Sequence, residues 1–446
     1  MKKILIKGGL VVSHNKIEKK DILINGDRIE SISNKILNTS SVSEIVDATG
    51  KYILPGLIDD QVHFREPGLT HKADISSESK AAVAGGITSF IEMPNTIPQT
   101  ITLENLDKKF NMASKYSWAN YSFMFGGTND NFEIIQKLDK NKVAGLKIFL
   151  GSSTGKMLLD NEETLRKIFK NSNLLISVHC EDEEIIKRNT EKYHIKYGDD
   201  IPFEAHSKIR SSEACFISSS RAIRLAKETG ARLHVFHIST SIETELFENS
   251  IPLKEKKITS EVCIHHLWFN ENDYAELGSK IKWNPAIKSK KDQDALWRAL
   301  NDDRIDILAT DHAPHTIEEK NKKYSLAPSG GPLVQHSLLA LLTFFKKGKI
   351  SLEKIVEKAC HNPSILFQIR QRGYIQENYY ADLVIIDLNK STRVTKENIL
   401  YKCGWSPFEG IVFPAKIIST WVNGECAYRD GHLLKKPKAR QLKFER

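Results

Sequence analysis

Between residues 55 and 370 the chain alternates short apolar strands with helix-like segments, and no other feature constrains its fold as much. Candidate strands end near His63, Pro94, Gly126, Leu150, Cys180, Ser239, Ile264 and His312, with helix-like stretches such as 76–85, 162–170, 213–229 and 292–300 between them. Repeated strand–helix units imply a parallel sheet. Eight of them in about 315 residues favour a closed (β/α)₈ TIM-like barrel over an open sheet. Chemistry in such barrels gathers at the C-terminal strand ends, so ligand-type side chains are expected there. Gln61 and His63 end the first strand, Asn95 follows the second, and Lys147 lies in the fourth. His179 ends the fifth, His237 the sixth, His265 and His266 follow the seventh, and Asp311 and His312 the eighth.

The two chain ends read differently. Asn25-Gly26 stands between Ile22-Leu23-Ile24 and Arg28-Ile29-Glu30-Ser31-Ile32, and Asn423-Gly424 between Thr420-Trp421-Val422 and Glu425-Cys426-Ala427-Tyr428. Asn-Gly suits a two-residue hairpin turn. We therefore expect residues 1–54 and 371–446 to pair into one small composite β-sandwich domain, and 55–370 to form the catalytic barrel.

In the stretch Asp59-Asp60-Gln61-Val62-His63-Phe64-Arg65, side chains two apart on a strand share a face. Asp59, Gln61, His63 and Arg65 are therefore expected to point together into the mouth. A single strand histidine is most often a hydrogen-bonded core residue. Three on different strands (His63, His179, His237) with the terminal carboxylate Asp311 match the ligand types of a catalytic zinc or related divalent site. Gln61 is the weakest member, since an amide oxygen stands where such a site prefers another imidazole. Lys147, a cation in an apolar strand, is expected to give up its proton readily, and a neutral amine can add carbon dioxide to become an anionic carbamate.

Composition sets outer limits. Six scattered cysteines suggest reduced thiols, with no paired zinc spacing. No apolar run approaches a membrane span, and Lys2-Lys3-Ile4-Leu5-Ile6-Lys7 meets charge too soon for a secretory signal. A cytoplasmic protein without membrane contact is expected. The net charge of +9 is spread among interleaved acidic residues, except for Lys435-Lys436-Pro437-Lys438-Ala439-Arg440. A solvated basic surface accounts for it without nucleic acid.

Several motifs in sequence order carry a family resemblance: Pro55-Gly56-Leu57-Ile58-Asp59, Val62-His63-Phe64-Arg65-Glu66-Pro67-Gly68, Met93-Pro94-Asn95-Thr96, His179-Cys180-Glu181-Asp182, His237-Ile238-Ser239-Thr240, Lys282-Trp283-Asn284-Pro285 and Thr310-Asp311-His312-Ala313-Pro314-His315. With Ala381-Asp382-Leu383-Val384 and Gly404-Trp405-Ser406-Pro407-Phe408, the chain resembles the cyclic amidohydrolases of the amidohydrolase superfamily, most closely the dihydroorotase family. The resemblance implies one or two zinc ions. His63 would bind the first and His179 and His237 the second, with N6-carboxylated Lys147 between them. Asp311 would ligate the first metal and act as general base and acid. Gln61 departs from the family's His-x-His. Arg65, Asn95 and His315 would grip a substrate carboxylate, while Asn284 and the backbone of Ser329 and Gly330 would meet the ring. The implied reaction is reversible hydrolysis of dihydroorotate, a small anionic substrate, to N-carbamoyl-L-aspartate. Allantoinase or another cyclic amidohydrolase stays open, as does a non-catalytic scaffold partnering a carbamoyltransferase. A homodimer would be ordinary for the family. The Lys/Glu-rich segment 316–328 reads either as a mobile lid or as a solvated loop.

Overall fold

The structure, a computed structural model, describes residues 2–13, 15–151 and 157–446. The N-terminal strands are β1 (Lys3–Val12), β2 (Ile17–Asn25), β3 (Arg28–Ser33), β4 (Glu44–Asp47) and β5 (Tyr52–Pro55). The barrel strands follow: β6 (Leu57–Val62), β7 (Ile87–Glu92), β8 (Asn120–Gly126), β9 (Gly145–Phe149), β10 (Ile176–His179), β11 (Leu233–Val235), β12 (Ile258–Cys263) and β13 (Ile307–Ala309). They form one eight-stranded sheet in sequential order from β6 to β13. A parallel bridge from Val62 to His312 and a 2.7 Å bond from His63 N to His312 O join its two edges. The sequence expectation of a (β/α)₈ barrel holds. Strands buried on both faces explain the near-continuous apolar runs.

Helices cover the outside and start where short polar side chains cap them. Asp74 and Ser77 form a capping box ahead of Ile75–Ala84, Ser211 caps Ser212–Thr229, and Ser289 and Asp292 box the start of Lys290–Asn301. Inside the barrel Ile58, Ile91, Met93, Met124, Leu175 and Phe236 pack together, joined by Leu442 and Phe444 from the C-terminal tail. The basic run that leads into this tail lies against the barrel, with Arg440 N donating to Asn120 Oδ1.

The remaining strands are β14 (Leu383–Asp387), the short ribbon β15 (Thr392–Arg393) and β16 (Val412–Phe413), then β17 (Lys416–Val422), β18 (Glu425–Arg429) and β19 (His432–Leu433). Both chain ends join one sheet, because β5 pairs antiparallel with β14. Asn423 and Gly424 have φ of 49° and 74°, the positive pair a tight hairpin turn of this kind requires. The first hairpin sits one residue later than its dipeptide suggests. Asn25 still pairs with Arg28, so Gly26-Asp27 makes the turn.

The strict alternation expected along β6 fails. Its pairing with β7 slips between Asp59 and Val62, as at a β-bulge, which re-aims side chains. Asp59 turns away from the mouth, and its carboxylate accepts from Thr310 Oγ1 at 2.6 Å. Asp60 points into the barrel interior instead, 3.6 Å from His234 Nε2. Gln61 and His63 do reach the mouth.

Candidate active site at the barrel mouth

A cavity of about 460 Å³ opens at the C-terminal ends of the strands. Gln61, His63, Arg65, Asn95 and Lys147 line it, with His179, His237, Asn284, Asp311 and His315 and the backbone around Ser329 and Gly330. Every residue given a ligand or substrate role by the family resemblance therefore borders one space, whereas Asp59, His265, His266 and His312 do not line it.

Two pairs of ligand-type atoms stand out. His63 Nδ1 donates to Asn95 Oδ1 at 2.7 Å, which leaves the Nε2 lone pair facing Asp311 Oδ1 at 3.2 Å. His179 Nε2 donates to Glu181 Oε2 at 2.9 Å, which leaves its Nδ1 lone pair facing His237 Nε2 at 2.9 Å. His237 Nδ1 is buried and meets no partner. The His63–Asp311 pair turns two acceptors toward each other in a buried site, which fits a cation, while His237 Nε2 can donate to His179 Nδ1. A carboxylate behind His179 is the usual outer support of a metal ligand. Burial pushes both His63 and His179 below the ordinary imidazole range, and His237 well below it. Neutral rings are the form that binds metal. The donor set therefore fits a metal cofactor.

Lys147 sits on β9 with its Nζ 4.0 Å from the Phe236 ring centre. Among the described residues it forms no ion pair within 4 Å. Burial lowers its pKa to about 7, despite the charge of Asp311 nearby. Its charge also depresses His179 and His237, and it lines the same cavity as both pairs. Gln61 is almost fully buried, with Oε1 3.7 Å from the Cys263 thiol.

At the other wall Arg65 is 7% exposed. Its Nε donates to Pro314 O at 3.0 Å, and its Nη2 lies 3.0 Å from His315 Nε2. Burial lowers its pKa only to about 10, so it stays charged at neutral pH. Lys72, which the sequence reading did not single out, also lines the mouth and places Nζ 3.0 Å from His315 Nδ1. Asn284 Oδ1 is buried without a partner, an acceptor left open for a ring N–H. Trp405, from the late Gly-Trp-Ser-Pro-Phe motif, donates to His315 O at 2.8 Å.

Arg65, His237 and Asp311 have φ of 68°, 41° and 47°, left-handed values rare outside glycine. Strain of this kind persists where the surroundings over-determine the backbone, often at functional sites. His237 also lies past the end of β11 at Val235, so the sixth strand releases it two residues earlier than its sequence suggests.

The segment 316–328 is pinned. Lys320 is fully buried and donates to Pro328 O and Gly330 O at 2.8 and 2.7 Å. Lys282 donates to Tyr324 O and Ala327 O at 2.7 and 2.6 Å. A Cβ on Gly330 would meet Ala313 O at 2.4 Å, and its φ is +124°, so glycine is required where this backbone faces the cavity.

Deeper in the barrel, Asp60, His234 and Glu261 bring ligand atoms within 4.8 Å of one another, the one such group of His, Cys, Asp and Glu among the described residues. The mouth holds its own atoms as two pairs with a lysine between. Sequence reasoning missed the deeper group because the bulge in β6 hides the direction of Asp60.

The Amidohydrolase family model matches residues 52–427. The chain belongs to the amidohydrolase family. Among curated relatives of this amidohydrolase, a protein named dihydroorotase from Methanosarcina mazei is 34% identical over 98% of this chain and 96% of its own length. One of the same name from Staphylococcus epidermidis is 32% identical over 96% and 99%. Among solved structures, an L-hydantoinase (dihydropyrimidinase) from Arthrobacter aurescens matches with a TM-score of 0.94 and 28% identity over the whole of both chains. The amidohydrolase is thus an enzyme acting on a small substrate. No helix among its described residues is long and apolar enough to cross a membrane.

Proposed function

We propose that this amidohydrolase is a dihydroorotase, opening the ring of dihydroorotate to N-carbamoyl-L-aspartate and closing it in reverse. One observation carries the choice of substrate: the buried, charged Arg65 stands beside His315 on the wall of the same cavity as Asp311. A permanent guanidinium at a reaction site calls for an anionic substrate, and its fork suits a carboxylate. The relatives named dihydroorotase support the same reading.

His63, Asp311, His179 and His237 would hold zinc, together with Lys147 in its N6-carboxylated form and Gln61 as a weak further ligand. A lysine pKa near 7 supports that modification, which needs a neutral amine. When bound, the metal supplies Lewis acidity toward the ring carbonyl and lowers the pKa of the attacking water.

The protein's own groups do the rest. Asp311 takes the proton of the attacking water and returns it to the departing ring nitrogen. Asn95 keeps the His63 tautomer fixed through Nδ1 and turns its amide N–H toward the substrate carboxylate. Arg65 and His315 orient that carboxylate, and Asn284 Oδ1 accepts from a ring N–H. The backbone at Ser329 and Gly330 meets the opposite ring edge, held there by Lys282 and Lys320.

The structural likeness to an L-hydantoinase favours a second reading, a neutral five-membered ring as substrate. Hydrolysis of dihydroorotate, allantoin and a hydantoin measured side by side separates the two. The reading requires dihydroorotate to have the highest kcat/KM, and faster turnover of either other ring would overturn it.

A further inference from the structure

Asp60 on β6, His234 on β11 and Glu261 on β12 lie fully buried below the mouth. His234 Nε2 is 3.2 Å from Glu261 Oε2 and 3.6 Å from Asp60 Oδ2. Neither oxygen of Asp60 meets a hydrogen-bond donor. Across the imidazole, Thr259 Oγ1 donates its one proton to Leu233 O at 3.2 Å. It therefore accepts from His234 Nδ1 at 2.9 Å. A neutral His234 then carries its proton on Nδ1 and turns the Nε2 lone pair toward two carboxylates. Three acceptors converge in the buried interior, where burial and the Asp60 charge hold the Glu261 pKa well above the usual carboxylate range, an arrangement that is penalised heavily unless a proton or a cation sits among them.

We propose that Asp60, His234 and Glu261 hold a divalent first-row transition ion, zinc or manganese, in the barrel interior, separate from the mouth. Two carboxylates, a neutral imidazole and a divalent ion sum to zero charge. Ligands about 2.0–2.2 Å from a tetrahedral zinc stand about 3.4 Å from one another, and the contacts of 3.2 and 3.6 Å bracket that spacing. An imidazole in the set disfavours magnesium and calcium, which take oxygen ligands. The bond from His234 Nδ1 to Thr259 is the outer support ligating histidines make. The ion would tie three strands together under the reaction site. Glu261 Oε1 also accepts from His237 N at 3.4 Å, so the same carboxylate reaches the backbone of a mouth histidine. The inference is independent of which ring is opened above.

The competing arrangement fills the same space with protons, either an imidazolium at His234 or a proton shared by the two carboxyls. Crystals of the full chain, loaded with zinc alone, separate these through anomalous difference maps at the zinc edge. An anomalous peak among Asp60, His234 and Glu261, distinct from any at the mouth, is expected. Asp60→Asn removes that peak and lowers zinc content by about one ion per chain relative to wild type, whereas Asp311→Asn leaves it in place. A wild-type map with peaks at the mouth only, or an Asp60→Asn protein keeping the interior peak, would overturn the proposal. The wild-type map decides even if the variant does not fold, and a protein inactive on dihydroorotate still shows or lacks the interior peak.

Discussion

His63 Nε2 stands 3.2 Å from Asp311 Oδ1, across the seam where the first barrel strand meets the eighth. The main chain sets this pair, since His63 N bonds His312 O at 2.7 Å. Asn95 then turns the ring so that its lone pair faces the carboxylate. Barrel closure and the reaction site are one arrangement.

Asp311→Asn keeps the shape of the carboxyl group but cannot accept the proton of the attacking water. General acid–base groups contribute about 10²–10⁴-fold. Steady-state kinetics on dihydroorotate should show kcat falling by about that range, with the circular dichroism spectrum unchanged. A loss under tenfold would remove Asp311 from the proton-transfer role.

Arg65→Gln removes the charged fork while keeping much of the length. A hydrogen bond to a charged group contributes about 1.5–3 kcal/mol, so kcat/KM for dihydroorotate should fall by about 10–100-fold. Any residual turnover of a neutral hydantoin should fall much less. An equal loss on both rings would show that Arg65 positions the site and does not read the carboxylate.

Gln61→His replaces a weakly donating amide with an imidazole beside His63. Zinc bound at the mouth should rise toward two ions per chain and survive a milder chelator. The difference in zinc content and affinity between variant and wild type, from equilibrium dialysis with elemental analysis, reads this, and no difference in either would count against Gln61 as the weak point.

Lys282 gives the pH prediction. Burial, with the charge of Arg210 added, lowers its pKa to about 7, while an unfolded lysine titrates near 10.4. Between those values the unfolded chain binds more protons than the folded one, so this group makes stability rise with pH across that window. Lys282→Met should flatten the rise between about pH 7 and 10 in denaturant titrations. The same slope in the variant would contradict the assignment.

Much of this was legible because barrel geometry places functional side chains at strand ends. His63, His179 and Asp311 could be placed from apolar runs that stop at polar residues, and Lys147 as a lone cation inside an apolar strand. The bulge between Asp59 and Val62 was not legible, since period-two reasoning assumes an unbroken ladder. It sends Asp59 to Thr310 and Asp60 toward His234, and so concealed the interior acceptor group. Lys320 and Lys282 were hidden for another reason. Lys320 lies in a Lys/Glu-rich segment that reads as solvated, Lys282 in a motif whose lysine has no assigned role, and only the fold reveals that both ammonium groups are buried on backbone carbonyls. The φ of 41° at His237 likewise belongs to tertiary constraint.

The most direct test of the central claim is turnover of dihydroorotate by the zinc-loaded protein, followed as N-carbamoyl-L-aspartate formation. Hydrolysis that disappears on chelation and returns when zinc and bicarbonate are restored is the predicted result. No detectable turnover in either direction, with zinc, bicarbonate and substrate all supplied to folded protein, would contradict it.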